Sequence, residues 1–349
     1  GNPPWKEYSA AKKDYAVRNY FAEGSGNLHA LTTERALGLR SLKGRMSFIV
    51  QLPLASSSRM SSIRRLLREQ SESLFVIPFD DRPGKLFEGL QHCRSVVFLS
   101  EAGRPREAGQ LAVSGYQRWP TAAREHLFAT LGYVEPPNAE ARTGQFPKCA
   151  IPLHRSTLNK LRSRALYLVG AFLRLRVTEH FVFYQEATQY WVKASVGLHY
   201  YDKNGIEGAP AHGRYMYLDS QDSAYAVCAL LNSSLFYTFF IAFGDCFHLS
   251  ETLASGFPIT EGLLADQGLI DLGRRLMVDL RANSSRETIQ TRDGDAISYE
   301  EFYGWKSKRI IDEIDRVLTK HYGFTDEELD FIINYDIKYR MGRDGAEEE

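Results

Sequence analysis

Chemistry is most readily done by the first five residues, Gly1-Asn2-Pro3-Pro4-Trp5. Proline holds φ at about −65° and carries no N–H, and the residue before a proline is kept extended. The Pro3 carbonyl and the Asn2 side-chain oxygen can therefore be aimed stiffly at one point, with the flat Trp5 indole beside it. Two acceptors and a stacking face suit an amino group on an aromatic ring. The same string also fits a plain proline turn, or an extended segment docked on a partner. Glu135-Pro136-Pro137-Asn138 is the uninformative form, with polar surroundings and no aromatic.

A second candidate is the basic run Arg155, Lys160, Arg162, Arg164, Arg174 and Arg176, which contains no acid between its ends. Such a run suits phosphate contact as well as a structural role. Arg59, Arg64, Arg65 and Arg68 read instead as the solvated face of a helix. Lys+Arg and Asp+Glu are both 43, so no global field draws nucleic acid, and any DNA contact has to be local. The cysteines at 93, 149, 228 and 246 show no C-x-x-C spacing and the nine histidines are scattered. Reduced, mostly buried thiols and no metal site are expected, as in a cytoplasmic protein.

Elements that would position these residues follow from periodicity. Leu28, Leu31, Leu39 and Leu42 mark a helix ending near Lys43-Gly44. Met46 to Gln51 reads as a strand, followed by a short helix with Ile63, Leu66 and Leu67 inward. Ser73 to Phe79 and Arg94 to Ser100 read as two more strands, joined by a loop beginning Asp80-Asp81-Arg82-Pro83-Gly84 and running through Phe87 to Glu88. This alternation is that of doubly wound α/β proteins.

Residues 104–149 turn to Gly, Pro, Ala and Arg and read as a linker, with one helical patch near 121–131. Residues 150–260 are mixed and aromatic, and Tyr184, Tyr190, Trp191, Tyr200 and Tyr201 are expected mostly in a core. Residues 261–349 read as helical, with Leu269, Leu272, Leu276 and Leu280 on one helix and Ile310, Ile311, Ile314, Val317 and Leu318 on the next. Thr325 and Glu328 form a capping box for the last helix. The apolar run Cys228 to Phe243 is broken at Asn232-Ser233-Ser234 and is shorter than the ~20 residues of a membrane span, so a buried helix and no membrane partner are expected. No signal peptide is visible, and a first residue Gly reads as the start of a fragment.

With Asn-Pro-Pro-Trp, then helix, strand, helix and a late strand pair, the chain resembles the carboxy-terminal part of an adenine-specific (N6) DNA methyltransferase. The kind is that of type IIG restriction–modification systems. Asn2–Trp5 looks like the catalytic motif, and Phe79 to Leu99 resembles the loop that helps hold an extruded base. Ala229 to Phe236 with Phe257-Pro258-Ile259 is similar to the end of a recognition domain, and Phe324 to Tyr339 to a closing helix.

The resemblance implies an α/β fold in which residues 1–103 form the carboxy-terminal part of a Rossmann-like methyltransferase sheet. It makes 150–260 an α+β target-recognition domain and 261–349 a helical tail. It implies Asn2, Pro3, Pro4 and Trp5 as catalytic, Trp5 and Phe87 as stacking residues, S-adenosyl-L-methionine as cofactor and double-stranded DNA as partner. Phe87 fits equally a plug beneath its loop. Gly24-Ser25-Gly26 follows no strand, so the cofactor loop is expected upstream. A restriction subunit or upstream nuclease would be a further partner, since the chain has no Pro-Asp dipeptide to begin a nuclease signature. Two other functions stay open: a non-catalytic DNA-specificity module, and a sister N-methyltransferase acting on RNA or protein glutamine. The residues from 150 to 349 argue against the second, because such enzymes end soon after the motif.

Overall fold

Strand β1 (Arg45–Gln51) is an apolar run stopped by Pro53, which opens the short helix Pro53–Ser56. The structure, a computed structural model, describes residues 1–87, 93–103, 110–137, 144–188 and 190–341. They divide into two units, Gly1–Asn159 with Ile241–Asp245, and Lys160–Phe240 with Cys246–Glu349.

In the first unit, the helix Leu28–Leu39 is capped by Asn27, whose side chain accepts from the His29 N–H. Leu31 and Leu37 face inward, but the helix stops short of Lys43 and leaves Leu39 68% and Leu42 92% exposed. The stop lies at Arg40, which turns extended and donates to the carbonyls of Ser100 and Gln70. A side chain bound to two distant carbonyls overrides the leucine spacing.

The helix Ser61–Glu69 joins β1 to β2 (Ser71–Phe79), and β3 (Ser95–Ala102) and β4 (Gln110–Val113) follow. The sheet order is β1-β3-β2-β4, with β3 antiparallel to both neighbours and β4 parallel to β2. The helix–strand alternation is present, yet the sheet is mixed rather than parallel. A loop from Phe79 returns the chain, and β3 fills the slot between β1 and β2, pairing along both its edges.

Strand β4 arises from the stretch read as a linker. Leu111, Val113, Trp119, Leu127, Phe146 and Cys149 are buried, so residues 110–137 and 144–149 belong to the first unit. Glycine and proline suit irregular backbone, but irregular backbone can still pack. Arg64 and Arg68 correct a second expectation: Arg64 is 2% exposed and Arg68 half-buried, while Arg59 and Arg65 stay exposed in ion pairs with Glu7 and Glu69.

The second unit contains β5 (Tyr167–Leu168), β6 (His180–Gln185), β7 (Ala194–Val196), β8 (Tyr201–Lys203), β9 (Ile206–Glu207), β10 (Gly213–Leu218), β11 (Pro258–Ile259), β12 (Ser285–Gln290) and β13 (Ala296–Glu301). They form sheets ordered β10-β6-β7, β11-β5 and β12-β13-β8-β9. The expected helical tail therefore includes a hairpin that joins strands of the recognition region. Its signal in the sequence was Asp293-Gly294, a turn dipeptide, with Gly294 at φ +87.

The helices Gln267–Ala282 and Lys308–Tyr322 bury Leu269, Leu272, Leu276 and Leu280, and Ile311, Ile314 and Leu318. The capping box of Thr325 and Glu328 is present. Among the described residues no single helix is long and apolar enough to cross a membrane. The helices Gln221–Asn232 and Ser234–Phe243 pass by length and composition only as a pair, bent by 62°. Asn232 ends the first of them fully buried, its side chain donating to the carbonyls of Ala194 and Cys228 (2.9 Å each).

Candidate active site

The first residues lie along the edge of β1 that β3 leaves unused. The Gly1 nitrogen donates to the Ser47 carbonyl (2.6 Å), and the Ile49 N–H donates to the Gly1 carbonyl (3.0 Å). Trp5 returns to the same strand, its indole N–H donating to the Ile49 carbonyl at 3.3 Å. Pro3 is buried between these two attachments, and Asn2 and Pro4 are exposed. The Asn2 amide has no hydrogen-bond partner among the described residues, so its oxygen is available to a ligand.

Phe87 approaches from the loop after β2. Its ring stands edge-on to Trp5, with centroids 5.6 Å apart and planes at 81°. Both rings are half-buried. The structure thus brings together Trp5 and Phe87, which lie far apart in sequence. Residues 88–92 of the same loop lie outside the described residues.

At the start of the same loop sits a charged cluster that sequence reasoning missed. Asp80 and Asp81 close β2; Arg94 reaches both, at 3.2 and 3.3 Å, and Arg118 donates to Asp80 at 2.8 Å. All four side chains are nearly buried. Burial works to raise the Asp80 pKa, but the Arg118 and Arg94 charges outweigh it and hold the carboxyl below its usual range. Burial raises that of Asp81, with Arg94 opposing and Asp80 adding. Adjacent aspartates at the end of a strand were the only visible signal.

The basic run is largely neutralised by acids remote in sequence. Arg155 pairs with Glu135 (3.1 Å), Lys160 with the buried Glu328 (2.6 Å), and Arg174 with Asp219 through two hydrogen bonds. Arg162 is half-buried. Arg164 and Arg176 are exposed and have no ion pair among the described residues. Of the aromatics, Tyr184 and Trp191 are buried, while Tyr190, Tyr200 and Tyr201 are partly exposed, with Arg286 over the Tyr200 ring at 4.0 Å.

Among the described residues no group of three His, Cys, Asp or Glu is placed to hold a metal ion. Gly24-Ser25-Gly26 sits in a 3-10 turn ahead of the helix Leu28–Leu39, with Gly26 at φ +67, and follows no strand.

The chain matches no family model and no curated protein. Among solved structures it is similar to the type IIL restriction–modification enzyme MmeI in complex with DNA, with TM-score 0.51 and 9% identity over 95% of this chain and 55% of that one. It also matches a nuclease-deletion mutant of the type ISP restriction–modification enzyme LlaGI in complex with a DNA substrate mimic (TM-score 0.41, 9% identity, 85% of this chain, 45% of that). A third match is the type IIG restriction endonuclease BpuSI (TM-score 0.31, 10% identity, 88% and 49%). The chain spans about half the length of each. At these identities only the fold is shared: this chain is similar in fold to the part of a type IIL restriction–modification enzyme that makes up 55% of its length.

Proposed function

We propose that this chain is the carboxy-terminal part of an adenine-N6 DNA methyltransferase in a restriction–modification or phage-defence system, coupling the end of a catalytic sheet to DNA target recognition. The observation that carries this reading is the Trp5–Phe87 ring pair, 5.6 Å apart, at the end of a tetrapeptide whose Asn2 amide is exposed and unbonded among the described residues. The fold likeness to a DNA-bound restriction–modification enzyme over 95% of the chain supports it.

An adenine amino nitrogen is a poor nucleophile because its lone pair is delocalised into the ring. The Asn2 side-chain oxygen and the Pro3 carbonyl accept its two hydrogens, which makes the nitrogen more electron-rich. They also favour the positive charge that develops as it attacks. S-Adenosylmethionine supplies the methyl group in such chemistry, held mainly by residues outside this sequence.

The target atom is hidden in a duplex, so the base is extruded. Trp5 offers it a stacking face worth ~1–3 kcal/mol. A base sandwiched between two rings needs about 7 Å, twice the ~3.5 Å contact distance of carbon atoms. The edge-on pair is tighter than that, so Phe87 turns aside to admit the base.

The test is methyl transfer to unmethylated duplex DNA by the complete protein. Asn2→Ala should lower the rate by about 10²-fold or more, the loss typical of removing one transition-state acceptor or donor. Unchanged methylation would overturn the catalytic assignment and leave a DNA-specificity module.

A further inference from the structure

Phe87 closes a stretch in which the backbone is held at four residues, Asp80, Gly84, Lys85 and Leu86, by the stretch 117–124. The Asp80 N–H donates to the Gln117 carbonyl (2.9 Å), and the Gly84 N–H to the Trp119 carbonyl (2.8 Å). Gly84 has no room for a side chain: a Cβ there would lie 2.5 Å from the Trp119 carbonyl oxygen. Leu86 packs on the cluster of Ile77, Phe79, Trp119 and Leu127. The Arg124 guanidinium then takes the last two carbonyls before Phe87, donating through Nη1 to Lys85 (3.1 Å) and through Nη2 to Leu86 (2.8 Å). Irregular loops have unpaired backbone groups that ordinarily turn to water. Here four of those groups are taken up by one short segment.

We propose that the segment 117–124, and Arg124 in particular, is a brace that fixes the backbone leading to Phe87, leaving only the ring free to move when a base enters; the inference rests on the methyltransferase reading. Arg124 is a positioning residue, since it touches the loop and not the base. It is also exposed. Exposed charged contacts contribute little to global stability, so placement of Phe87 and folding of the chain can be separated by changing Arg124. The buried Asp80–Arg118–Arg94 cluster cannot serve for this, because its loss would disturb folding itself.

The experiment uses the complete protein with long, amplified, unmethylated duplex DNA and a radiolabelled methyl donor. It is paired with amide hydrogen exchange over residues 84–87. Arg124→Ala should lower kcat about tenfold, leave KM for DNA and the melting temperature close to wild type, and speed exchange at 84–87. Arg124→Lys should fall between, because an ammonium reaches one carbonyl at a time where the guanidinium fork reaches two. Wild-type kcat and exchange in Arg124→Ala, with Asn2→Ala inactive, would overturn the brace and leave the methyltransferase reading standing. If the wild-type protein transfers no methyl group, that reading is what fails. Exchange at 84–87 then decides the brace alone, and no change in Arg124→Ala overturns it.

Discussion

Arg64 and Asn2 show how differently one polar residue and another are used. Asn2 is exposed and unbonded within the described chain, free for a ligand. Arg64 shares its helix with the exposed Arg65 and the half-buried Arg68, yet its guanidinium donates to the carbonyls of Leu54 (2.9 Å), Ser57 (2.7 Å) and Gly144 (2.9 Å). Two of those carbonyls belong to the end of the short helix Pro53–Ser56, where backbone acceptors are otherwise orphaned. Burial pulls the Arg64 pKa down to about 10, which still leaves it charged at neutral pH. Arg64→Leu removes the donor and strands three acceptors, so unfolding free energy should drop by about 3 kcal/mol. Urea denaturation measures this. A midpoint equal to wild type would mean that water replaces the guanidinium without cost.

Among the helices, the start of Ser234–Phe243 is completed by a residue from another element. Asp315, on the helix Lys308–Tyr322, accepts the N–H groups of Ser234 (3.2 Å) and Leu235 (3.1 Å), and Arg340 donates to the Ser234 hydroxyl (3.0 Å). Burial raises the Asp315 pKa to about 6, opposed by the hydrogen bonds at Ser234 and by Arg340. A carboxyl raised above its unfolded value of about 4 binds protons more tightly in the folded state. Its contribution to stability is full below pH ~4 and is lost as pH rises through about 6, a change of about 2–3 kcal/mol. Asp315→Asn lacks this loss. Relative to wild type, the variant should therefore gain about 2 kcal/mol between pH 4.5 and pH 7 by chemical denaturation. A gap independent of pH would show that the carboxyl titrates normally. In the following helix, Asp326–Asn334, Glu328 meets Lys160 (2.6 Å) with the carboxylate that also serves the capping box at Thr325, so this lysine is structural.

Over the whole chain, a balance of 43 cationic and 43 acidic side chains leaves little unpaired charge for a polyanion. In the basic run, Arg164 and Arg176 are exposed without an ion pair among the described residues. If DNA is the partner, phosphate contact from this run falls to these two. Replacing both by alanine should weaken DNA binding by the complete protein and reduce the slope of log K against log salt by about 2. Lys160→Met should lower stability and leave that slope alone. Fluorescence anisotropy with a duplex across a salt series distinguishes them, and an unchanged slope in the double variant would remove the run from the interface.

What could be read along the chain was what neighbouring residues settle among themselves. Thr325 and Glu328 already made a cap, and Met46 to Gln51 already made a strand. These preferences act over a few residues and need no partner. The antiparallel insertion of β3, the burial of Arg64 and the meeting of Trp5 with Phe87 depend on which surfaces are brought together. So does the neutralisation of Lys160 by an acid 168 positions away. A charge or a ring has one local sequence but many environments, and only the folded chain chooses between water and a partner for it.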